Sequence, residues 1–489
     1  YAALQADYTR LPHPVTITGG AYRLSKSGLS FSNLQAAIGT AAITGLTGNI
    51  EWGPARHIRA TAATADFPIP LFLKWLKQFP HLNSRLQEFE VASGRARLSQ
   101  LVFDGPMEGT GTWRYELSGV VIDAIIRLVQ KSQEFRIPEG RFAVRNPGKG
   151  PAGISVQPTR IRWAGDWFEM AGTGDLEGGD LRLDLEINAR SLSLELLKNT
   201  FARRPASVES RGKLSLRGTV GVRCETFELS EFRFEPVEAE IQISEETTTV
   251  DIQRADFCGL SVPGRIRFTR NQVHLSLQPA AEDRNLTALI VCASDRDGLI
   301  SGAYQFAGRI YASGSDTALL PHLNGELRFL ANDGRIYRYS MLAKILALVN
   351  VTEILRGRLP DIGEEGFAYE SIEARAEIRH GILNLKDMMI RGASMTIGMQ
   401  GDIDLIHKTL DLTGFVAPLK TFDDVVQNLP LLNLFFDNRY LMAIPFSIRG
   451  AWDDYHVIPL STSTLNRNLE GESLENSKIN PQSVEPHEK

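Results

Sequence analysis

The sequence predicts a mainly β protein built from antiparallel strands, with a few short helices. Apolar and polar residues alternate over many short segments, as expected for strands that bury one face of a sheet. Turn residues separate these segments at intervals too short for helical crossovers, so neighbouring strands should be antiparallel. The pattern is clearest in residues 366–450, where one strand face should carry Met395, Ile397, Met399, Ile403 and Leu405.

The N-terminal half shows the same alternation in weaker form. Residues 1–66 read as short strands separated by glycine-containing turns. The strongest strand is 181–189, in which Leu183, Leu185 and Ile187 share an aliphatic face backed by Arg, Asp, Glu and Asn. Residues 120–129 are apolar enough to form either a buried strand or a short helix, and periodicity does not separate the two.

Three segments interrupt the strand pattern and predict helices at 71–79, 341–356 and 423–436. The first has apolar residues at helical spacing after Pro70. The second is apolar nearly all round, so we expect it to cover or plug the apolar face of the sheet. Pro430 should kink the third.

We expect the chain of 489 residues to have three parts, the last of which is set apart by its composition. We expect β segments at 1–210 and 211–460, followed by a polar tail at 461–489 that is too poor in large apolar residues to fold. The first residues already alternate, which predicts that the chain is the C-terminal part of a longer protein. No stretch reaches the roughly 20 apolar residues that a membrane-spanning helix needs.

Charge and cysteine content exclude some functions. The net charge is −5, and basic residues are interleaved with acidic ones, which argues against nucleic acid as a partner. Cys224, Cys258 and Cys292 are widely spaced and show no zinc-binding pattern. A Cys258–Cys292 disulfide is conceivable, but the sequence favours three small buried side chains.

No motif in the sequence indicates catalysis. There is no HExxH or GxSxG segment, and the nine histidines are scattered. Asp402, Asp404 and Asp411 lie on the polar side of their strands, so a solvated face is the better interpretation than an acid–base pair. We therefore expect no enzyme activity, no metal and no cofactor.

The residues alone leave two interpretations of the apolar strand face. It closes on itself as an ordinary core, or the sheet curls into an open trough whose floor is available to a ligand. Taken without any resemblance, the pattern favours the closed core.

Ordered motifs near the C-terminus resemble the AsmA-like family of bacterial envelope proteins. They are Gly401-Asp-Ile-Asp-Leu405, Leu410-Asp-Leu412, Val416-Ala-Pro418, and Ile444-Pro-Phe-Ser-Ile-Arg-Gly450 followed by Trp452. The resemblance covers about 323–460 in sequence and only the architecture before that.

The resemblance implies an elongated, curled antiparallel sheet that forms an open hydrophobic groove. It further implies phospholipid, or another acyl lipid, as the partner, carried between the inner and outer membranes of a diderm bacterium. The chain would then lie in the periplasm, anchored to the inner membrane by an N-terminal segment outside this sequence, with a further envelope protein as a potential partner. The groove floor would carry Leu183, Leu185, Ile187, Ile397, Met399, Ile403 and Leu405.

Two other functions stay open at this point. The chain would act as a scaffold or assembly factor for outer-membrane proteins if the groove holds a strand or is only a core. A carbohydrate-active β-helix enzyme would show clustered carboxylates and aromatic residues on a solvent face.

Overall fold

The computed structural model describes residues 4–6, 13–52, 56–77, 89–106, 113–128, 133–177, 180–194, 215–230, 232–294, 300–315, 319–337, 341, 344–345, 366–393, 395–418 and 443–460. The chain forms two compact units, Tyr1–Ala255 (unit 1) and Asp256–Lys489 (unit 2). The predicted tail at 461–489 and the predicted helix at 423–436 lie outside the described residues, as does most of 341–356.

The described residues form 28 strands. In unit 1 they are β1 (Leu4–Ala6), β2 (Val15–Leu24), β3 (Gly28–Ile38), β4 (Ala41–Glu51), β5 (His57–Ala62), β6 (Thr64–Pro68), β7 (Phe89–Pro106), β8 (Arg114–Leu128), β9 (Gln133–Asn146), β10 (Ala152–Trp163), β11 (Asp166–Glu177), β12 (Asp180–Ser193), β13 (Ser215–Leu229), β14 (Phe232–Phe234), β15 (Val237–Ile243) and most of β16 (Thr248–Phe257). In unit 2 they are β17 (Leu260–Ser261), β18 (Gly264–Phe268), β19 (Val273–Leu277), β20 (Ala280–Asn285), β21 (Ala303–Gly314), β22 (Asn324–Ile336), β23 (Phe367–Arg379), β24 (Ile382–Gly392), β25 (Met395–Asp404), β26 (Thr409–Pro418), β27 (Ile444–Ala451) and β28 (Tyr455–Pro459).

Strand pairing is almost entirely antiparallel, because short turns connect successive strands. His380 and Gly381, both at positive φ, form a two-residue turn between β23 and β24, as the sequence predicts. The exception is β12, which pairs parallel with β13 over Asp180–Ser193. A parallel pair needs a long connection rather than a hairpin, and residues 194–214 separate these two strands. The fold class is thus mainly β, as predicted.

The predictions for individual elements can be checked where residues are described. Helix α1 (Ile69–Leu76) confirms the helix predicted at 71–79 and begins two residues earlier. The ambiguous segment 120–129 lies mainly in strand β8. A second helix, α2 (Leu286–Ser294), was not predicted, because its residues are apolar without a clear helical stripe.

The cysteine prediction was wrong for two of the three residues. Cys258, in the turn after β16, and Cys292, in α2, form a disulfide with their Cα atoms 5.6 Å apart. Sequence spacing could not show this, because only the fold brings α2 onto that turn. Cys224 is a buried free thiol, as expected, and burial raises its pKa to about 11.

Candidate functional site

One row of side chains crosses unit 1 from strand to strand on a single face. Residues that are directly opposite in a sheet point to the same side, so the pairing register identifies the row. We call it the apolar row; in sheet order it contains Ile17, Ala36, Ile43, Ala65, Leu98, Gly119, Phe142, Val156, Gly172, Leu185, Val220, Ile241 and Val250. Every member is aliphatic, aromatic or glycine.

The apolar row runs without a polar residue through thirteen strands. At about 4.8 Å between neighbouring strands, its twelve steps cover roughly 58 Å along the sheet. The parallel pairing does not interrupt it, because Leu185 of β12 lies opposite Val220 of β13. Gly172 has φ +148°, and a Cβ there would lie 2.1 Å from the carbonyl oxygen of Asp184, so this position requires glycine.

Most of the apolar row remains partly accessible to solvent. Ala36, Ala65, Leu98 and Val220 are buried, and the other nine members, Leu185 among them, are half-buried. Small clusters pack along the same face, for example around Leu98 and Leu101. A flat single sheet would leave such side chains more exposed, so the sheet of unit 1 curls toward its apolar face. The result is a continuous apolar surface that is shielded but not sealed.

The opposite face of the same strands is polar. A row one residue away contains Ser118, Ala143, Ser155, Thr173, Asp184, Thr219, Gln242 and Thr249. Arginine–carboxylate pairs join neighbouring strands there, such as Arg223 with Glu186 at 3.4 Å. Hydrogen bonds from Arg136 and Arg127 lower the pKa of Glu134, so it stays ionised. This face is therefore charged and hydrated, as its sequence predicts.

The three residues predicted for the groove floor in unit 1 lie on the apolar face. Leu183, Leu185 and Ile187 are half-buried, while Arg182, Asp184 and Glu186 between them are exposed. The structure thus places these three side chains together on one strand, β12, beside Gly172 and Gly174 of β11.

The apolar face of unit 2 is packed and buried, whereas that of unit 1 remains partly accessible to solvent. Ile397 belongs to a row that also contains Tyr304, Ala331, Ile372, Ile390 and Val416. All six are at most 4% exposed. Met399 is 6% exposed in the same cluster. These two predicted floor residues therefore lie in a packed core.

Two segments cover this core. Leu286 of α2 is buried in the cluster, and Leu289 and Ile290 pack against it. Ile345 is 1% exposed in the same cluster, and Met341 packs beside it. Met341 and Ile345 of the predicted 341–356 segment thus pack on the apolar face, while most of that segment lies outside the described residues.

Toward the other ends of the strands the cover diminishes. Ile403 of β25 and Leu405, which follows that strand, are half-buried. Asp402 and Asp411 lie exposed opposite each other, hydrogen-bonded by Asn384 and Arg449 respectively. Hydrogen bonds from His407 lower the pKa of Asp404, whose carboxylate also accepts from the backbone N–H of Ile406. These carboxylates form turns and ion pairs.

Sequence reasoning missed the apolar row itself. Each strand shows its own alternation, but the strand register that aligns them depends on pairing across turns and bulges. Within the described ranges, no three His, Cys, Asp or Glu side chains are grouped as metal ligands. Of the helices that the structure describes, none has the length and apolar character to cross a bilayer.

Comparison with known proteins gives two matches, of which the family match lies in unit 2. The family model described as YhdP protein matches residues 297–455. A stretch of 101 residues is 28% identical to the intermembrane phospholipid transporter YhdP of Escherichia coli strain K12. That stretch is 20% of this chain and 8% of YhdP, so the chain aligns with only a small part of that protein. The resemblance predicted from the C-terminal motifs is confirmed: residues 297–455, which contain those motifs, are similar to the YhdP family.

Proposed function

We propose that the chain is a segment of a periplasmic conduit that carries phospholipid between the inner and outer membranes. The observation that supports this most is the unbroken, half-buried apolar row of unit 1. An ordinary core would bury such a row fully, as the row through Ile397 is buried in unit 2. A surface that stays shielded yet accessible over thirteen strands suits acyl chains that enter, slide and leave.

The energy of exposing acyl chains explains why continuity matters. Each CH₂ transferred to water costs roughly 0.8 kcal/mol, so two chains of about 16 carbons cost on the order of 25 kcal/mol. A conduit must offset most of this at every position, because a single polar interruption becomes a barrier. The apolar row contains no such interruption, and it offers no polar group that would select among acyl chains.

The disulfide supports a location outside the cytoplasm. Cys258 and Cys292 are joined in the folded chain, and such bonds persist in oxidising compartments such as the bacterial periplasm. The YhdP relative is named an intermembrane transporter, which agrees with that compartment. We propose that the chain moves lipid without catalysing a reaction.

We assign the floor of the conduit to Leu183, Leu185 and Ile187 in unit 1 and to Ile403 and Leu405 in unit 2. Ile397 and Met399 join this surface only when the covering segments move, because both are buried now.

The test places one carboxylate on each face of the same strand. Val156 and Ser155 are neighbours in β10; Val156 belongs to the apolar row, and Ser155 faces the polar side opposite Thr173 and Ala143. Val156→Glu and Leu185→Glu put a charge where acyl chains would pass, which costs several kcal/mol when it is dry and unpaired. Ser155→Glu is the matched control. Crosslinking to a photoactivatable phospholipid and thermal melting are measured on each variant.

We expect both floor variants to melt close to the wild-type protein and to lose lipid crosslinking, while Ser155→Glu keeps it. If the floor variants fail to fold and the control does not, the apolar face is a core and the conduit is refuted. Co-purification of a protein client instead of lipid would support the scaffold function.

A further inference from the structure

A β-bulge in unit 2 turns an arginine onto the apolar face. In β20, Ala281 lies opposite Phe306 of β21, and the register then shifts so that Arg284 lies opposite Tyr304. Without the extra residue, Arg284 would point to the polar side. Asp283 occupies the bulge at φ +47°, and its carboxylate accepts a hydrogen bond from the Gln305 side chain. Bulges commonly redirect a side chain toward a functional position.

The redirected arginine pairs with no acidic side chain in the described part of the chain. Arg284 is exposed and makes no salt bridge with any of the residues that the structure describes. A guanidinium presents several N–H donors in a plane, which matches the oxygens of a phosphate or carboxylate.

The residue opposite Arg284 has an unused hydrogen-bond donor. Tyr304 is 1% exposed, and its buried hydroxyl has no hydrogen-bond partner among the described residues. A buried polar group without a partner is unfavourable, so one in a folded protein calls for an explanation. Burial raises the pKa of Tyr304, while the charge of Arg284 acts in the opposite direction. The phenol therefore stays protonated and able to donate at neutral pH.

The start of helix α2 adds positive potential at the same place. Asn285 follows Arg284 directly and caps α2 through its side-chain oxygen, which accepts from the N–H of Ala288 at 3.1 Å. The N-terminus of a helix carries a partial positive charge, which favours an anion nearby. Arg284 thus lies opposite Tyr304 in the sheet and directly before the residue that caps α2.

We propose that Arg284 and Tyr304 form a binding site for the phosphate group of a lipid whose acyl chains lie on the half-buried part of the apolar face of β21, at Phe306 and Ile310. This rests on the proposed function, since it names where a phospholipid headgroup is held. The Arg284 guanidinium pairs with a phosphate oxygen, and the Tyr304 hydroxyl donates to the ligand once the side chains that cover it move aside. The apolar row of unit 1 offers no such anchor, so the site would hold headgroups in unit 2 only.

The experiment compares two photoactivatable lipids with the same acyl chains, a phosphatidylglycerol and a diacylglycerol, presented in vesicles to the full chain. Crosslinks are mapped by mass spectrometry to β20 and β21. We expect about tenfold more crosslinking by the phospholipid, the typical contribution of a charged hydrogen bond. Arg284→Gln should remove that preference, and Tyr304→Phe should reduce it without loss of folding. Arg309→Gln, on the exposed face of β21, is the matched control and should leave it unchanged.

Three results would contradict the proposals in different ways. Equal crosslinking of both lipids in the wild-type protein, unaltered by Arg284→Gln, would overturn the site even if lipid still crosslinks to the floor of unit 1. Inorganic phosphate that binds in an Arg284-dependent manner, without any lipid crosslinking, would show an anion site and refute the lipid headgroup as its source. If lipid crosslinks to unit 2 but not to unit 1 in the wild-type protein, the result counts against the conduit and not against the headgroup site.

Discussion

Truncating one apolar side chain in each unit should show whether its apolar face is open or closed. Ile397→Ala and Leu185→Ala each remove three carbon atoms, worth about 2.4 kcal/mol when fully buried. Ile397 has no exposed surface. Its truncation therefore loses the full transfer energy and leaves a cavity, for a total cost of about 4 kcal/mol. Leu185 is half-buried and borders open space, so its truncation should cost about 1 kcal/mol.

The two free-energy costs should be measured locally, because different parts of one structure can open with different free energies. Hydrogen exchange in increasing urea, resolved by mass spectrometry, gives an opening free energy for peptides of β25 and of β12. We expect a large drop for β25 in Ile397→Ala and a small one for β12 in Leu185→Ala. Similar drops in both would mean that the face of unit 1 is packed as tightly as that of unit 2, and the argument for an open floor would fail.

Three further measurements probe unit 2. Tyr304→Phe should leave the melting temperature unchanged or raise it, because the lost hydroxyl has no partner among the described residues. Tyr369→Phe should lower the melting temperature, because it breaks the hydrogen bond that the Tyr369 hydroxyl donates to the Ser301 carbonyl. Replacing both Cys258 and Cys292 by serine should lower the free energy of unfolding by about 4 kcal/mol in the chain-entropy model. Calorimetry that finds no loss of stability would contradict a stabilising disulfide. Hydrogen bonds from Arg379 and Lys386 lower the pKa of Glu377 from 4.5. Its contribution to stability is therefore present above pH 4.5 and is lost as the pH falls through the lowered value. Glu377→Gln should accordingly lower the melting temperature near neutral pH and have no effect in strong acid.

Strand patterns were the part of the fold that the sequence could predict. The alternation in β12 and β25 identifies which residues share a face, because that depends only on the two-residue period of a strand. Burial along those faces could not be predicted. Leu185 and Ile397 look alike in sequence, yet one is half-buried and the other fully buried, since segments distant in the chain cover only the second.

The proposed headgroup site was beyond sequence reasoning for a related reason. A bulge changes the face of every residue after it, and Glu282-Asp283 carries no signal that distinguishes it from an ordinary polar pair. The disulfide was missed because α2 lacks an amphipathic stripe, so neither the helix nor its contact with Cys258 was expected. Both features depend on tertiary placement.

The pairing of strands with their neighbours in sequence also determines how far a local structural defect spreads. Each strand pairs mainly with the strands next to it in sequence, as in repeat proteins, where stability is nearly a sum of neighbouring terms. A damaged hairpin should therefore open locally while distant strands remain folded. If the floor carries lipid as proposed, passage along it is a process in series, so the same local opening would stop transport. A local defect would therefore leave most of the chain folded while it abolishes transport. Variants with such a defect should accumulate as folded protein that does not carry lipid.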